Sequence, residues 1–213
     1  MDSIRTQIDT YLQKLLEMQF SASNQITHKL TKGESREKFI RQVVLGEFPK
    51  LILKKGLLCS GEWQSTQADF LWLNDNARIG NYDIYDLADC KLFMEVKSCA
   101  KASELCAIES TAMELKKRCS SEKQIRVGMF CYSTKAKEKT VLKNFGFLYD
   151  RDIKGYVEYK PNLDKMKHVD FLYSLNINCD NSLMPYFVIR DYLGNCTLYK
   201  KNPVIQYFFN LFR

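Results

Sequence analysis

The sequence predicts a mixed α/β domain in which helices flank a central sheet. Three observations carry this. Helix-period and strand-period segments follow one another in the order helix, strand, strand, strand, helix, strand between residues 28 and 132. The 213 residues are enough to bury one sizeable core. No repeat, low-complexity tract or linker divides the chain, so residues 1–213 are expected to fold as a single unit. At 46% apolar and 27% charged residues, disordered and fibrous classes are excluded.

The elements follow in order. Ile4, Ile8, Tyr11, Leu12 and Leu15 recur at spacings of three and four, which predicts an amphipathic helix within residues 1–27 that buries this face. A second helix is expected after the turn at Lys32-Gly33. It carries Phe39, Ile40, Val43 and Val44 on its buried face, shows Glu34, Arg36, Glu37 and Lys38 in an exposed first turn, and stops before Pro49. Residues 51–59 form an apolar run with a break at Gly56, and ADFLWL, 68–73, reads as a strand. The polar excursion 74–90 then leads to KLFMEVKS, a strand again. Leu105, Ile108, Ala112 and Leu115 mark a helix over 103–119, closed by the cationic LysLysArg that suits a helix carboxyl end. IRVGMFCY, 125–132, is a short buried strand. Beyond it a basic helix over 135–148, strand pieces at 156–160, 170–177, 185–192 and 196–200, and a closing helix over 203–212 are expected.

An excess of 32 Lys and Arg over 25 Asp and Glu, net +7, favours an anionic partner. Charges among the first residues leave no apolar secretion signal, and no run reaches the roughly 20 apolar residues that span a bilayer. The expectation is a cytoplasmic protein with no membrane partner, whose eight cysteines stay reduced. No Cys-x-x-Cys pair offers a zinc site. His28 and His168 sit in no nucleophile motif, and no Gly-rich phosphate loop is present.

The informative stretch is FMEVKS, 93–98. Side chains alternate along a strand, so Glu95 and Lys97 share one face and Met94 and Val96 the other. A carboxylate two residues before a lysine occurs elsewhere, at Asp152-x-Lys154 and Glu158-x-Lys160 among others, and alone signifies an ion pair. Here it has company. Asp69 opens the preceding strand, where hairpin geometry brings it beside Glu95 in spite of the 25 intervening residues. Two close carboxylates repel unless a cation bridges them. Magnesium suits such a site because it accepts a few carboxylates and completes its shell with water and phosphate. Glu37 reaches over from the helix as a third acid, and Lys97 can orient water toward phosphorus.

The order Glu37, Asp69, Glu95-x-Lys97, threaded through that succession of elements, resembles the PD-(D/E)xK nuclease superfamily with its restriction-endonuclease-like αβββαβ core. GESREKFI, 33–40, is similar to the Gly-x-x-x-Glu helix of archaeal Holliday-junction resolvases. SGEWQSTQADFLWL followed by FMEVKS is similar to a largely uncharacterised bacterial group with Ser-x-Gln-x-Asp ahead of a Glu-Val-Lys strand. The likeness covers residues 28–132, the core, with 1–27 as an N-terminal helix and 133–213 as a C-terminal α/β extension. The proline of the superfamily motif is replaced by Gln67-Ala68.

The resemblance implies Mg2+-dependent hydrolysis of phosphodiesters, with Mn2+ as a substitute. Asp69, Glu95, the Val96 carbonyl and Glu37 would be metal ligands, Lys97 would position water, and Ser65, Gln67 and Ser98 would touch substrate. DNA is the expected partner ahead of RNA, and a homodimer would follow if both strands are cut. Asp152 with Glu158-x-Lys160 is a rival copy of the motif, with one large apolar residue between its charges and no acidic helix upstream. The alternative function is a non-catalytic nucleic-acid-binding or protein-interaction module on the same fold.

Overall fold

The computed structural model describes residues 2–78, 82–119, 124–158, 165–177, 184–200 and 203–213. Helix α1 (Asp2–Ser23) leads into α2 (Lys29–Glu47). Helix α2 begins at Lys29, five residues before the Glu34 start expected after Lys32-Gly33, with His28 as its cap accepting the Thr31 N–H. Arg36 and Glu37 therefore lie inside the helix and are buried, where an exposed first turn was expected. Ile40 and Val44 are buried as their spacing predicts, and the helix ends before Pro49.

The buried face of α1 differs from the expected one. Ile4 and Tyr11 are 67% and 61% exposed and Ile8 is exposed too, while Leu16 and Phe20 enter the core. Polar anchoring sets this orientation. Asp9 and Gln13 face inward, Arg5 bridges Asp9 and Glu47, and the Gln13 side-chain Oε1 accepts the Val204 N–H at 3.2 Å.

Strands β1 (Ile52–Ser60), β2 (Trp63–Gln64), β3 (Ala68–Leu73), β4 (Ile84–Asp86) and β5 (Cys90–Lys97) come next. Helix α3 (Ala102–Arg118) and β6 (Arg126–Cys131) follow. The expected helix, strand, strand, strand, helix, strand is therefore present as α2, β1, β3, β5, α3, β6, with β2 and β4 added. The polar excursion finds a place because β4 docks parallel on β1. Gly56 permits that approach: a Cβ there would stand 2.1 Å from the Asp83 carbonyl oxygen, which accepts the Leu57 N–H.

The chain then forms α4 (Glu138–Asn144), the hairpin β7 (Phe147–Asp150) and β8 (Gly155–Glu158), β9 (Phe171–Ser174), β10 (Tyr186–Arg190), β11 (Cys196–Tyr199) and α5 (Ile205–Phe209). Among the described residues one sheet of nine strands runs β11-β10-β9-β6-β5-β3-β1-β2, with β4 beside β1. It is parallel at β5-β6 and β6-β9 and antiparallel across β1-β3, β3-β5, β9-β10 and β10-β11. Among the described residues no helix is long and apolar enough to cross a membrane.

Strand alternation divides the core into two layers. On one face Leu71, Phe93, Val127 and Met129 pack under Leu105, Ile108 and Leu115 of α3 and Val141 of α4. On the other, Phe70, Leu92, Met94 and Phe130 meet Leu16, Ile40 and Val44 of α1 and α2 and Phe208 of α5. The centre of the sheet is tight. A Cβ on Gly128 would lie 2.4 Å from the Phe171 carbonyl oxygen and 2.6 Å from its ring. Gly128→Ala is therefore expected to cost about 2 kcal/mol through overpacking, read as a lower urea midpoint with an unchanged slope.

Candidate active site

The site forms where β3 and β5 part. Their ladder ends at Phe70 opposite Met94. Beyond that pair no β3 carbonyl takes the Val96 N–H; the Asp69 Oδ2 accepts it instead, at 2.9 Å. This bond fixes a carboxylate against the backbone of β5. Glu95 and Lys97 lie on the face of Phe93, while Met94 and Val96 belong to the opposite layer, as the alternation predicts. Lys97 Nζ donates to Glu95 Oε2 at 2.6 Å and stands 3.6 Å from Asp69 Oδ2. Asp69 of β3 thus meets Glu95 and Lys97 of β5 in one place.

The charges do not balance. Asp69 and Glu95 face one ammonium, and all three are largely shielded from water. Burial and then the neighbouring Asp69 charge push the Glu95 carboxyl up to about 7, against the opposing pull of Lys97. For Lys97, burial by itself favours the neutral amine. Glu95, Asp69 and Glu104 together outweigh it, and the net direction is upward. A pocket that draws protons onto a carboxylate and holds an amine charged is short of positive charge, and a cation would relieve it.

Glu104 escaped the sequence reading. It sits in the first turn of α3, accepts the Lys101 N–H at 2.7 Å and adds negative charge near Lys97. An acidic residue three positions into a helix is the signal that could have found it, although capping alone explains that pattern.

The other expected residues are placed as follows. Glu37 Oε2 accepts from Lys55 Nζ at 2.6 Å, and Lys55 lies in the β1 bulge between Lys54 opposite Leu71 and Gly56 opposite Ala68. Glu37 is thus paired with Lys55 and, among the described residues, is not grouped with Asp69 and Glu95. Among the described residues, no three His, Cys, Asp or Glu side chains form a group able to hold a metal ion. Ser65 serves the β1 turn: its hydroxyl takes the Leu58 N–H and donates to the Thr66 carbonyl. Gln67 is exposed, two residues before Asp69. Ser98 follows Lys97 and accepts from the buried Arg36 guanidinium, which also donates to Ser23 and Asn24 and lies 4.0 Å over the Phe20 ring. Arg36 therefore ties the end of β5 to the corner between α1 and α2. In the rival motif, Asp152 lies in the turn between β7 and β8, Glu158 ends β8, and Lys160 lies outside the described residues.

No known family profile matches the chain, and no curated protein matches its sequence. Solved structures do. The chain is similar to NucC of P. aeruginosa ATCC27853 in its cAAA-bound form, at 13% identity and TM-score 0.70, over 97% of this chain and 88% of that one. It is also similar to NucC of E. coli MS115-1, bound to cAAA, at 11% identity and TM-score 0.68, over 97% and 87%. The apo form of the same E. coli protein matches at 10% identity and TM-score 0.59, over 96% and 88%. At these identities the likeness is one of fold, the restriction-endonuclease-like arrangement of a mixed sheet between helices.

Proposed function

We propose that the chain is a metal-dependent nuclease that hydrolyses phosphodiester bonds in DNA. One observation carries this reading: Asp69, Glu95 and Lys97 converge at the parting of β3 and β5, on one face of the sheet. The fold shared with the NucC nucleases supports it. The donor set suits Mg2+, with Mn2+ as a substitute, because two hard carboxylates and the nearby Val96 carbonyl supply a few oxygen ligands and Mg2+ takes the rest from water and phosphate. Glu37 would join as a third acid by releasing Lys55. When bound, the cation supplies Lewis-acid stabilisation of the charge that builds on the scissile phosphate.

The chain's own groups do the remaining work. Asp69 is held by the Val96 N–H, which commits its Oδ2 to the backbone of β5. Lys97, kept charged by its acidic neighbours, orients a water toward phosphorus and offers positive charge to the phosphoryl oxygens. The water oxygen forms the new bond, the bond to the leaving sugar oxygen breaks, and a proton moves to that oxygen. Exposed lysines on the same side hold the strand through its phosphates without reading its sequence.

The test is incubation of wild-type protein with plasmid and linear DNA in Mg2+, Mn2+ or chelator. Cleavage is expected with either metal and none with chelator. Equal cleavage in chelator would remove the assignment.

A further inference from the structure

A second feature lies at the far edge of the sheet. A cavity of about 870 Å³ is lined by Lys137, Lys139, Lys154 and Lys200 over Tyr149 and Tyr156. Lys139 Nζ stands 4.1 Å above the Tyr149 ring and Lys200 Nζ 5.1 Å from that of Tyr156, so the rings hold two ammonium groups in place. The carboxylate lining it, Glu138, is already paired with Lys200 at 2.6 Å. Among the described residues, Lys137, Lys139 and Lys154 have no carboxylate partner. A concave surface that gathers three exposed ammonium groups, none paired with a described carboxylate, suits an anion.

Strand register relates this cavity to the candidate active site. Lys97 lies opposite Cys131, Cys131 opposite Ser174, and Ser174 opposite Tyr186. One residue past the Phe187-Tyr199 pair, Lys200 falls opposite Tyr186. The five residues form one row across the sheet, so Lys97 and Lys200 emerge on the same face at the same end. Four interstrand spacings separate them by about 19 Å. Between them Ala100 bridges to Thr134, placing the exposed Lys101 and Lys135 side by side along the way. At about 3.4 Å of duplex axis per nucleotide, 19 Å is five or six base-pair steps.

We propose that the Lys137, Lys139, Lys154 and Lys200 cavity is a remote phosphate-backbone subsite. It grips the DNA strand about five or six nucleotides from the scissile phosphate held at Lys97. The inference rests on the nuclease reading for its substrate, and its test needs no cleavage. The subsite contributes affinity and register and carries no base preference.

The probe is a labelled duplex of about thirty base pairs, bound in chelator and followed by fluorescence anisotropy over a range of salt. Wild type is compared with Lys137→Ala/Lys139→Ala/Lys154→Ala, whose positions are all exposed. A matched control, Lys14→Ala/Lys29→Ala/Lys38→Ala, removes the same charge from exposed positions on α1 and α2, across the sheet. The cavity variant is expected to bind roughly tenfold more weakly near physiological salt. Its slope of log K against log salt should be shallower by about 0.9 per lost contact, near 2.7 in all. The control should keep the wild-type slope. An unchanged slope in the cavity variant, or an equal loss in the control, overturns the subsite and leaves the nuclease reading standing. Lysine-dependent binding by a wild type that never cleaves DNA would do the reverse.

Discussion

Lys97→Ala is expected to lower DNA cleavage by about a thousandfold while leaving DNA affinity within a few-fold of wild type. The magnitude follows from the role assigned to the amine. A group that positions water and stabilises developing charge is worth roughly 10²–10⁴ in rate. Its substrate contact is one charge among many along the lysine track, so binding changes little. The fold should survive, because Lys97 is partly exposed and packs no core layer. The measurement is single-turnover cleavage with saturating enzyme, next to anisotropy on the same duplex. A non-catalytic module makes the opposite forecast: binding in wild type and variant alike, with no metal-dependent turnover in either. A variant as active as wild type would remove Lys97 from the mechanism.

The second large effect concerns pH and stability in metal-free protein. Folding raises the Glu95 carboxyl from its ordinary value near 4.5 to about 7. Between these values the folded protein keeps a proton that the unfolded chain has released. Stability is therefore greatest at the acid end of the window and falls as pH climbs through it. The loss is about 3 kcal/mol at most, with burial and the Asp69 charge raising the group and Lys97 opposing them. In chelator, Glu95→Gln should flatten this decline and be more stable than wild type above pH 7. Millimolar Mg2+ should flatten it in wild type too, by offsetting the repulsion between Asp69 and Glu95. Denaturant titrations at pH 5, 6, 7 and 8 read the effect. An identical decline in Glu95→Gln would place its origin elsewhere.

Much of this was legible in the sequence, because two periodicities are local. The alternation in FMEVKS put Glu95 and Lys97 on one face and Met94 and Val96 on the other, and the two core layers divide in that way. The pairing of β3 with β5 followed from two strands bracketing a polar excursion. Long-range polar contacts were not legible. Arg36 read as a solvated charge in a first turn, but the helix starts at Lys29 and the guanidinium is buried against Ser98, Ser23 and Asn24, contacts 12 to 62 residues away in sequence. The partnership of Glu37 with Lys55 depends on a bulge in β1, which Gly56 hinted at without fixing the partner. The apolar stripe of α1 was assigned to the wrong side because Asp9 and Gln13, polar and inward, carry no hydrophobic signal. The lysines of 135–143 were visible as basic residues, but only the register from β5 to β11 aligned their cavity with Lys97.

The extension beyond residue 132 began as an appendage to a nuclease-like core, yet β9 pairs in parallel along β6 and continues the same sheet. A fragment ending at Tyr132 would leave the hydrogen-bonding groups of Gly128 to Cys131 bare on a strand with an almost wholly apolar composition. Such a piece would recruit other chains in place of the missing neighbour. A cut through the middle of the chain would therefore yield inclusion bodies, and the terminal helices that cover the opposite layer, with Leu16, Phe20 and Phe208 buried in it, belong to any minimal version as well.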